Sequence, residues 1–188
     1  MDLQILQEAG YEEALMGMAF SYEVEKDYLP VIASVSNKIK KRAQHLAFKG
    51  GGHNKFLEQM QVWLCIRAPM YWWKQMDTYR LCSKSSKSTM HTLMKRSLTV
   101  DDFTDTTSFE TIYFINTLIA DKKFERVIAE LPMGFLQTRL VNVSYKTLQN
   151  IVSQRKGHKI EEWNFFINEI LINIKHPEFL WNTTNLGE

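Results

Sequence analysis

Residues 61–76 read QVWLCIRAPMYWWKQM, and this stretch decides the fold that the sequence predicts. Apolar residues occupy every second position from 60 to 66, which is the period of a strand with one buried face. Pro69 suits the first turn of a helix, because the N–H that proline lacks would have no partner there. The pattern therefore predicts a strand over 59–66 and, directly after it, a helix from Pro69 to about Arg80.

Helices dominate the chain on both sides of this stretch. Towards the N-terminus, LQILQ (3–7) predicts a short strand, and helices are predicted over 12–20 and over 31–48, the second ending at the glycines 50–52. Towards the C-terminus, the patterns predict a helix over 108–130, a strand over 135–143, a helix capped by Ser144 and a last helix with an apolar stripe from Ile160 to Ile174. A chain of 188 residues is too short for two ordinary domains, so we predict one α+β domain over 1–188.

Composition narrows the functional classes. Hydrophobic residues make up 45% and charged residues 23%, as in soluble globular proteins. A net charge of +2 does not indicate a nucleic-acid-binding surface, and no apolar run reaches the length of a membrane span. The N-terminus lacks the pattern of a secretory signal, so a cytoplasmic location is expected. Cys65 and Cys82 match no metal-ligand spacing, which favours reduced packing residues and no metal site.

Residues 78–91, TYRLCSKSSKSTMH, concentrate groups that bind anions. These are four serines, two lysines and an arginine: Ser83, Ser85, Ser86, Ser88, Lys84, Lys87 and Arg80. An arginine guanidinium offers a planar fork that matches phosphate or carboxylate, and hydroxyl groups add further donors. Two interpretations are open here: an anion site, or a solvated loop between two helices.

Two further polar segments are candidates. GGGHNKF (50–56) places His53 after glycines that allow close backbone approach, although a helix end with an exposed histidine explains the same pattern. SQRKGHKIEEW (153–163) places Arg155 at the end of one helix and His158 at the start of the next, with Glu162 one turn further on. A polar contact between the two helices is an equally good interpretation of the second segment.

The spacing of these segments resembles a known family. Residues 53–91 are similar to the central block of the flavin-dependent thymidylate synthases, in which histidine, proline, glutamine, arginine and serine recur at fixed distances. The matching positions are His53, Pro69, Gln75, Arg80, Ser83 and Ser88. With a one-residue deletion, Arg155, His158 and Glu162 match a second block. The resemblance is weak over most of the chain and strongest over about forty residues.

The sequence departs from the family pattern at ligand-binding positions. Thr78 and Tyr79 stand in place of an arginine and a histidine, Ser86 in place of a glutamate, and Met90 and Asn164 in place of arginines. Three guanidinium groups are therefore missing, each of which can make a charge-assisted bond worth about 1.5–3 kcal/mol. We expect any shared ligands to be held differently in this protein.

The resemblance implies a helix-rich α+β domain with a small, mainly antiparallel sheet, assembled as a homotetramer. It implies FAD as cofactor, NADPH and methylenetetrahydrofolate as co-substrates, and a pyrimidine deoxynucleotide such as dUMP as substrate. The flavin then carries the redox chemistry, no protein nucleophile is needed, and no catalytic residue is assigned. The implied cofactor-binding residues are His53, Gln75, Thr78, Tyr79, Arg80 and Ser86. The implied substrate-binding residues are Ser83, Ser88, Met90, Arg155, His158 and Glu162.

Two functional hypotheses remain at this point. In the first, the chain is a divergent enzyme that binds FAD and a dUMP-like nucleotide for reductive one-carbon transfer. In the second, it is a non-catalytic nucleotide-binding or structural homologue that has lost the flavin chemistry. The sequence alone does not decide whether the protein is an enzyme.

Overall fold

The computed structural model describes residues 1–21 and 35–182 and has the helix-rich α+β fold that the sequence predicts. Four strands form an antiparallel sheet in the order β1-β2-β4-β3. The strands are β1 (Asp2–Ala9), β2 (Gln61–Pro69), β3 (Cys82–Ser86) and β4 (Leu136–Ser144). The α-helices are α1 (Tyr11–Ala19), α2 (Asn37–Ala47), α3 (Phe56–Gln59), α4 (Met70–Met76), α5 (Thr89–Thr92), α6 (Phe109–Ala120), α7 (Phe124–Glu130), α8 (Tyr145–Arg155) and α9 (Glu161–Asn173). No helix in this part of the chain has the length and apolar character needed to cross a bilayer.

The described chain divides into two compact units. The first unit comprises Met1–Gln4, Cys65–Arg80 and Lys84–Val141. Its core forms around α6 and α7, whose buried side chains pack with those of the segments on either side: Leu93, Leu98, Phe103, Ile112, Ile115, Leu118, Ile119, Val127 and Phe135. Phe103 and Phe135 meet edge to face with ring centroids 5.7 Å apart, a favoured aromatic geometry.

The second unit comprises residues 5–64, 81–83 and those from 142 onward, as far as they are described. Its buried aromatic side chains include Trp163 and Phe166 of α9, which meet edge to face at 5.8 Å. Ser144 caps α8 by accepting a hydrogen bond from the Thr147 N–H, and Gln149 donates from α8 to the carbonyl of Phe179 at 2.8 Å. The Gln149 hydrogen bond joins α8 to the segment that follows α9.

Most of the predicted elements are confirmed. β1, α1, β2, β4, α8 and α9 lie where the sequence patterns place them, and alternate residues of β2 are fully buried. The strand predicted from position 59 begins at Gln61, because the turn before it is the short helix α3. Positions 31–34 of the helix predicted over 31–48 lie outside the described residues; α2 itself starts at Asn37, after the capping residue Ser36.

Three predictions of helix or loop were wrong in extent or type. α4 ends at Met76 and does not reach Arg80. The helix predicted over 108–130 is two helices, since Lys122 has φ 57° and interrupts the hydrogen-bond ladder. The serine-rich segment is neither a turn nor a loop throughout, because residues 82–86 form β3 at an edge of the sheet.

Candidate functional site

Helix α4 positions the first group of predicted site residues. The backbone N–H of Met70 donates to the Phe135 carbonyl at 3.0 Å, and that of Tyr71 to the Met133 carbonyl at 3.2 Å. The first N–H groups of a helix have no partner within it, so these bonds fix the start of α4 to the segment that leads into β4. Trp73 is fully buried, and its indole N–H donates to the Gln137 carbonyl at 2.9 Å. These bonds hold the start and the middle of α4 against the segment that leads into β4 and against β4 itself.

The chain after α4 presents Thr78 and Arg80 at the surface of the first unit. The Thr78 hydroxyl donates to the carbonyl of Gln75 at 2.7 Å, which ties two predicted cofactor-binding residues together. Tyr79 is only 7% exposed, so most of its ring belongs to the protein interior. Arg80 is exposed, and no other described residue pairs with its guanidinium. Arg80 is thus available to an anionic ligand.

The predicted residues on and after β3 differ in how far their polar groups are engaged. Ser86 is exposed at the end of the strand. Ser88 caps α5, because its hydroxyl oxygen accepts from the His91 N–H at 3.3 Å, which leaves the hydroxyl proton to be donated elsewhere. Met90 is 59% exposed and brings no charge to a position where the family has an arginine.

Arg139 is a cation of this region that the sequence reasoning missed. It lies on β4 with a side chain 14% exposed, and its guanidinium carbon sits 4.4 Å from the Trp73 ring centroid. Nη1 donates to both carboxylate oxygens of Asp77, at 3.0 and 3.1 Å, and Nε donates to the Gln137 side chain at 2.9 Å. Lys84 approaches the same carboxylate at 3.5 Å and donates to the Tyr79 carbonyl at 3.1 Å.

Arg139, Lys84 and Asp77 form a cluster with two positive charges and one negative charge. Its excess positive charge adjoins the backbone of Tyr79 and lies in the same unit as Arg80. Such an arrangement favours an anion over a neutral ligand. Arg139 was detectable in principle, because the two-residue period of a strand places it on the same face of β4 as the buried residues 137, 141 and 143, where an arginine is unusual.

The second unit brings Arg155, His158 and Trp163 together. Nη1 of Arg155 is 3.3 Å from Nε2 of His158, and its guanidinium carbon lies 4.8 Å from the Trp163 ring centroid. The Ile160 N–H donates to Nδ1 of His158 at 3.1 Å. The donor and acceptor roles in the Arg155–His158 contact depend on the tautomer of the imidazole. Arg155, His158 and Trp163 thus form one contacting cluster between the end of α8 and the start of α9.

The remaining predicted residues of the second unit lie on separate elements. Glu162 is half-buried in the first turn of α9, where the helix dipole favours a carboxylate, and the Asn164 amide donates to the His158 carbonyl at 3.4 Å. Ser83 is exposed on β3. His53 is exposed and borders a cavity of about 290 Å³ together with Lys55 and Gln59. Within the described ranges, no three histidine, cysteine or acidic side chains are grouped as a metal site requires.

Comparison with known proteins finds relatives in structure but not in sequence. No family model matches the chain, and no curated protein is significantly similar to it. A crystal structure of flavin-dependent thymidylate synthase from Helicobacter pylori, complexed with FAD and dUMP, superposes with a TM-score of 0.76 at 14% identity. The match covers 97% of this chain and 98% of that one.

A second protein shares the fold. The UMP/dUMP methylase of Streptomyces cacaoi, bound with 5-Br dUMP, superposes with a TM-score of 0.68 at 10% identity, over 91% of this chain and 88% of that chain. At such identities the similarity establishes the fold, which is the one implied by the resemblance of residues 53–91. The assignment of individual ligand-binding residues stays a prediction.

Proposed function

We propose that the protein is a divergent member of the flavin-dependent thymidylate synthase family that binds FAD and a dUMP-like pyrimidine deoxynucleotide for reductive one-carbon transfer. The observation that supports this most strongly is the near-complete structural match to a synthase holding FAD and dUMP. The family motif of residues 53–91 lies within the matched region, since the match covers 97% of the chain. The polar end of α4 and the strand after it supply the groups that such ligands need.

The residues of the first unit fit an anionic cofactor. FAD carries a pyrophosphate, and Arg80 is exposed and available to it. The cluster of Lys84, Arg139 and Asp77 has a net charge of one positive unit. This charge offsets part of the positive charge that is missing at Thr78 and Met90. Lysine cannot reproduce the bidentate fork of arginine, so the pyrophosphate would rest on fewer directed bonds than in the family.

The proposal gives tasks to six of the predicted residues between Gln75 and Ser88. Arg80 and the Ser86 hydroxyl would bind phosphate oxygens, while the Ser88 hydroxyl proton would be donated to the nucleotide. Gln75 and Thr78, joined by their hydrogen bond, would orient the flavin ring system, and Tyr79 would contact it through its exposed edge. In the second unit, His53, Arg155, His158 and Glu162 are assigned by resemblance. The bound flavin would supply hydride transfer, recharged by NADPH, with methylenetetrahydrofolate as carbon donor.

The alternative is a nucleotide-binding homologue without flavin chemistry. The absence of three guanidinium groups at positions 78, 90 and 164 favours it, because each removes a bond of about 1.5–3 kcal/mol to a phosphate. A protein of this kind would bind dUMP and fail to bind FAD. The two functions therefore differ in a measurable ligand.

Visible absorption of the purified protein and titration with FAD and dUMP distinguish them. We expect a flavin spectrum, or saturable FAD binding after addition, together with dUMP binding. Arg80→Gln should weaken FAD or dUMP binding about 10–100-fold, as the loss of a charge-assisted bond predicts. Arg126→Gln is the matched control, since Arg126 is an exposed arginine of α7 outside the predicted site.

Three outcomes decide between the proposals. Binding of FAD and dUMP, with either ligand bound about 10–100-fold more weakly by Arg80→Gln and equally well by Arg126→Gln, supports the enzyme. Binding of dUMP without FAD supports the non-catalytic homologue. A colourless protein that binds neither ligand contradicts both.

A further inference from the structure

The first unit contains a cavity that none of the predicted site residues lines. It has a volume of about 320 Å³, at the small end of the range of about 300–1,000 Å³ found for ligand pockets. It is lined by Lys87 and Thr89 but not by Ser86 or Ser88, as expected when successive side chains of an extended segment point to opposite sides. Arg80 and Gln75 are absent from its lining as well. The lining of this cavity therefore shares no residue with the predicted flavin and nucleotide site.

Cationic groups dominate the lining of this cavity. Arg67 of β2, Lys87 after β3 and Arg96 between α5 and α6 line it, with Asp102 as its one acidic residue. Arg96 donates to both carboxylate oxygens of Asp102, at 2.6 and 2.7 Å. This bidentate bond lowers the pKa of the Asp102 carboxyl, which keeps the pair ionised and the Arg96 guanidinium fixed. An excess of two positive charges remains around the cavity.

Two of these cations retain capacity for a ligand. Arg67 donates through Nη2 to the Asp101 carbonyl, while its Nη1 lies 3.7 Å from the mostly exposed Asp2 carboxylate, a contact that water screens. The Lys87 backbone is fixed by donation to the Thr138 carbonyl at 2.9 Å, and its side chain is exposed. No side chain in the described ranges engages its ammonium group.

Hydroxyl and apolar groups complete the wall. Thr89 and Thr138 bring hydroxyl groups to the same cavity, and Leu93, Phe135 and Leu136 line it with apolar atoms. Convergent polar donors beside an apolar wall are the usual composition of a pocket for a small organic molecule.

We propose that this cavity binds a small organic phosphate, with the phosphate dianion between Arg67, Lys87 and Arg96 and its organic group against the leucines. A dianion balances the excess of two positive charges, and cations from three separate segments surround a tetrahedral group better than a planar carboxylate. The threonine hydroxyl groups donate to the remaining phosphate oxygens. The site does not depend on flavin binding.

Phenyl phosphate is the probe, added to the full-length protein carrying ¹³C-methyl-labelled leucine. Leu93, Leu98 and Leu136 line the cavity and report on it, whereas Leu81, which is 81% exposed and follows Arg80, reports on the proposed nucleotide site. We expect saturable shifts of the three cavity leucines, unchanged in Arg80→Gln. Lys87→Gln should raise the dissociation constant about tenfold, the effect of one lost charge-assisted bond. Lys95→Gln, an exposed lysine one residue from Arg96 and outside the lining, should leave it unchanged.

Each other outcome overturns the proposal. The site is wrong if the cavity leucines do not move at millimolar phenyl phosphate, or if only Leu81 moves. Equal weakening by Lys87→Gln and Lys95→Gln would identify general attraction to a basic surface. Because these variants leave Arg80 in place, loss of the cavity site and loss of the proposed flavin site are separately visible.

Discussion

At the scale of single residues, Arg139 contacts several residues near the proposed flavin site. It joins β4 to the end of α4 through Asp77 and stacks on Trp73. Arg139→Met keeps most of the side-chain volume but leaves Asp77 with Lys84 alone. We expect a loss of about 1–3 kcal/mol in the free energy of unfolding, the cost of removing one partner from a half-buried charged hydrogen bond, measured by urea denaturation.

Lys84→Met is the matched control for this prediction. Lys84 is as buried as Arg139, but its ammonium lies 3.5 Å from one Asp77 oxygen, whereas Nη1 of Arg139 lies 3.0 and 3.1 Å from the two oxygens. We expect a smaller loss than for Arg139→Met. Equal losses would show that the hydrogen bonds of the Arg139 guanidinium contribute nothing beyond its charge.

Asp102 makes the free energy of unfolding depend on pH in the acidic range. The Arg96 hydrogen bond lowers the pKa of Asp102 in the folded state, so the folded protein binds fewer protons than the unfolded chain in mild acid. The stabilisation is complete above the ordinary pKa of an aspartate carboxyl and is lost as the pH falls through the lowered pKa of Asp102 in the folded protein. The difference in unfolding free energy between the wild type and Asp102→Asn should therefore shrink between pH 5 and pH 3. A difference independent of pH would contradict this origin.

At the scale of elements, the glycine between β1 and α1 permits a close approach of two backbones. Gly10 has φ 86°, and a Cβ atom there would lie 2.5 Å from the Gln59 carbonyl oxygen. Gly157, after α8, has φ 68° with nothing within 4 Å of the same position. Gly157→Ala should cost about 1 kcal/mol from backbone strain alone, and Gly10→Ala clearly more, because backbone must also move. Thermal unfolding of both variants checks this; equal costs would show that the close approach relaxes freely.

The elements that sequence patterns predicted are those with strong apolar periodicity. The stripe from Ile160 to Ile174 predicts α9, and the alternation through Ile66 predicts β2, because burial of one face decides each element. β3 has no such pattern, since serine and lysine occupy an edge strand that buries little. The break after α6 could not be predicted from the sequence either. Lys122 adopts a positive φ there, and a break of this kind is usually recognised by a glycine.

At the scale of the whole molecule, the motif of residues 53–91 predicted more of the overall fold than the periodicity of apolar residues did. The spacing from His53 to Ser88 implied a flavin-dependent thymidylate synthase-like fold, and the structural match supports that over nearly the whole chain. The candidate site was only partly predictable. Arg139 lies far from the motif in sequence, and only the folded structure shows that it contacts Asp77. Arg67 lies within the motif but at none of its matching positions, and only the folded structure shows that it lines the cavity proposed to bind a phosphate.

Assembly is the prediction that belongs to the whole chain. If the resemblance extends to quaternary structure, the protein is a homotetramer, so light scattering after size exclusion should give four times the chain mass of 22.1 kDa. A monomeric mass would contradict this and remove any ligand-binding role that depends on neighbouring copies. The measurement should be made with and without FAD, since ligand binding can shift association.

Finally, the position of β3 bears on how such a protein can change over evolutionary time. Ser83, Ser85 and Ser86 are exposed on an edge strand, whereas Trp72 and Trp73, a few residues earlier, are fully buried. Substitutions on β3 thus cost little folding stability, and natural selection can test them one by one while the scaffold persists. Under the proposed function, the exposed serines of β3 can therefore be replaced at little cost to the fold, whereas replacement of the buried tryptophans would disrupt its core.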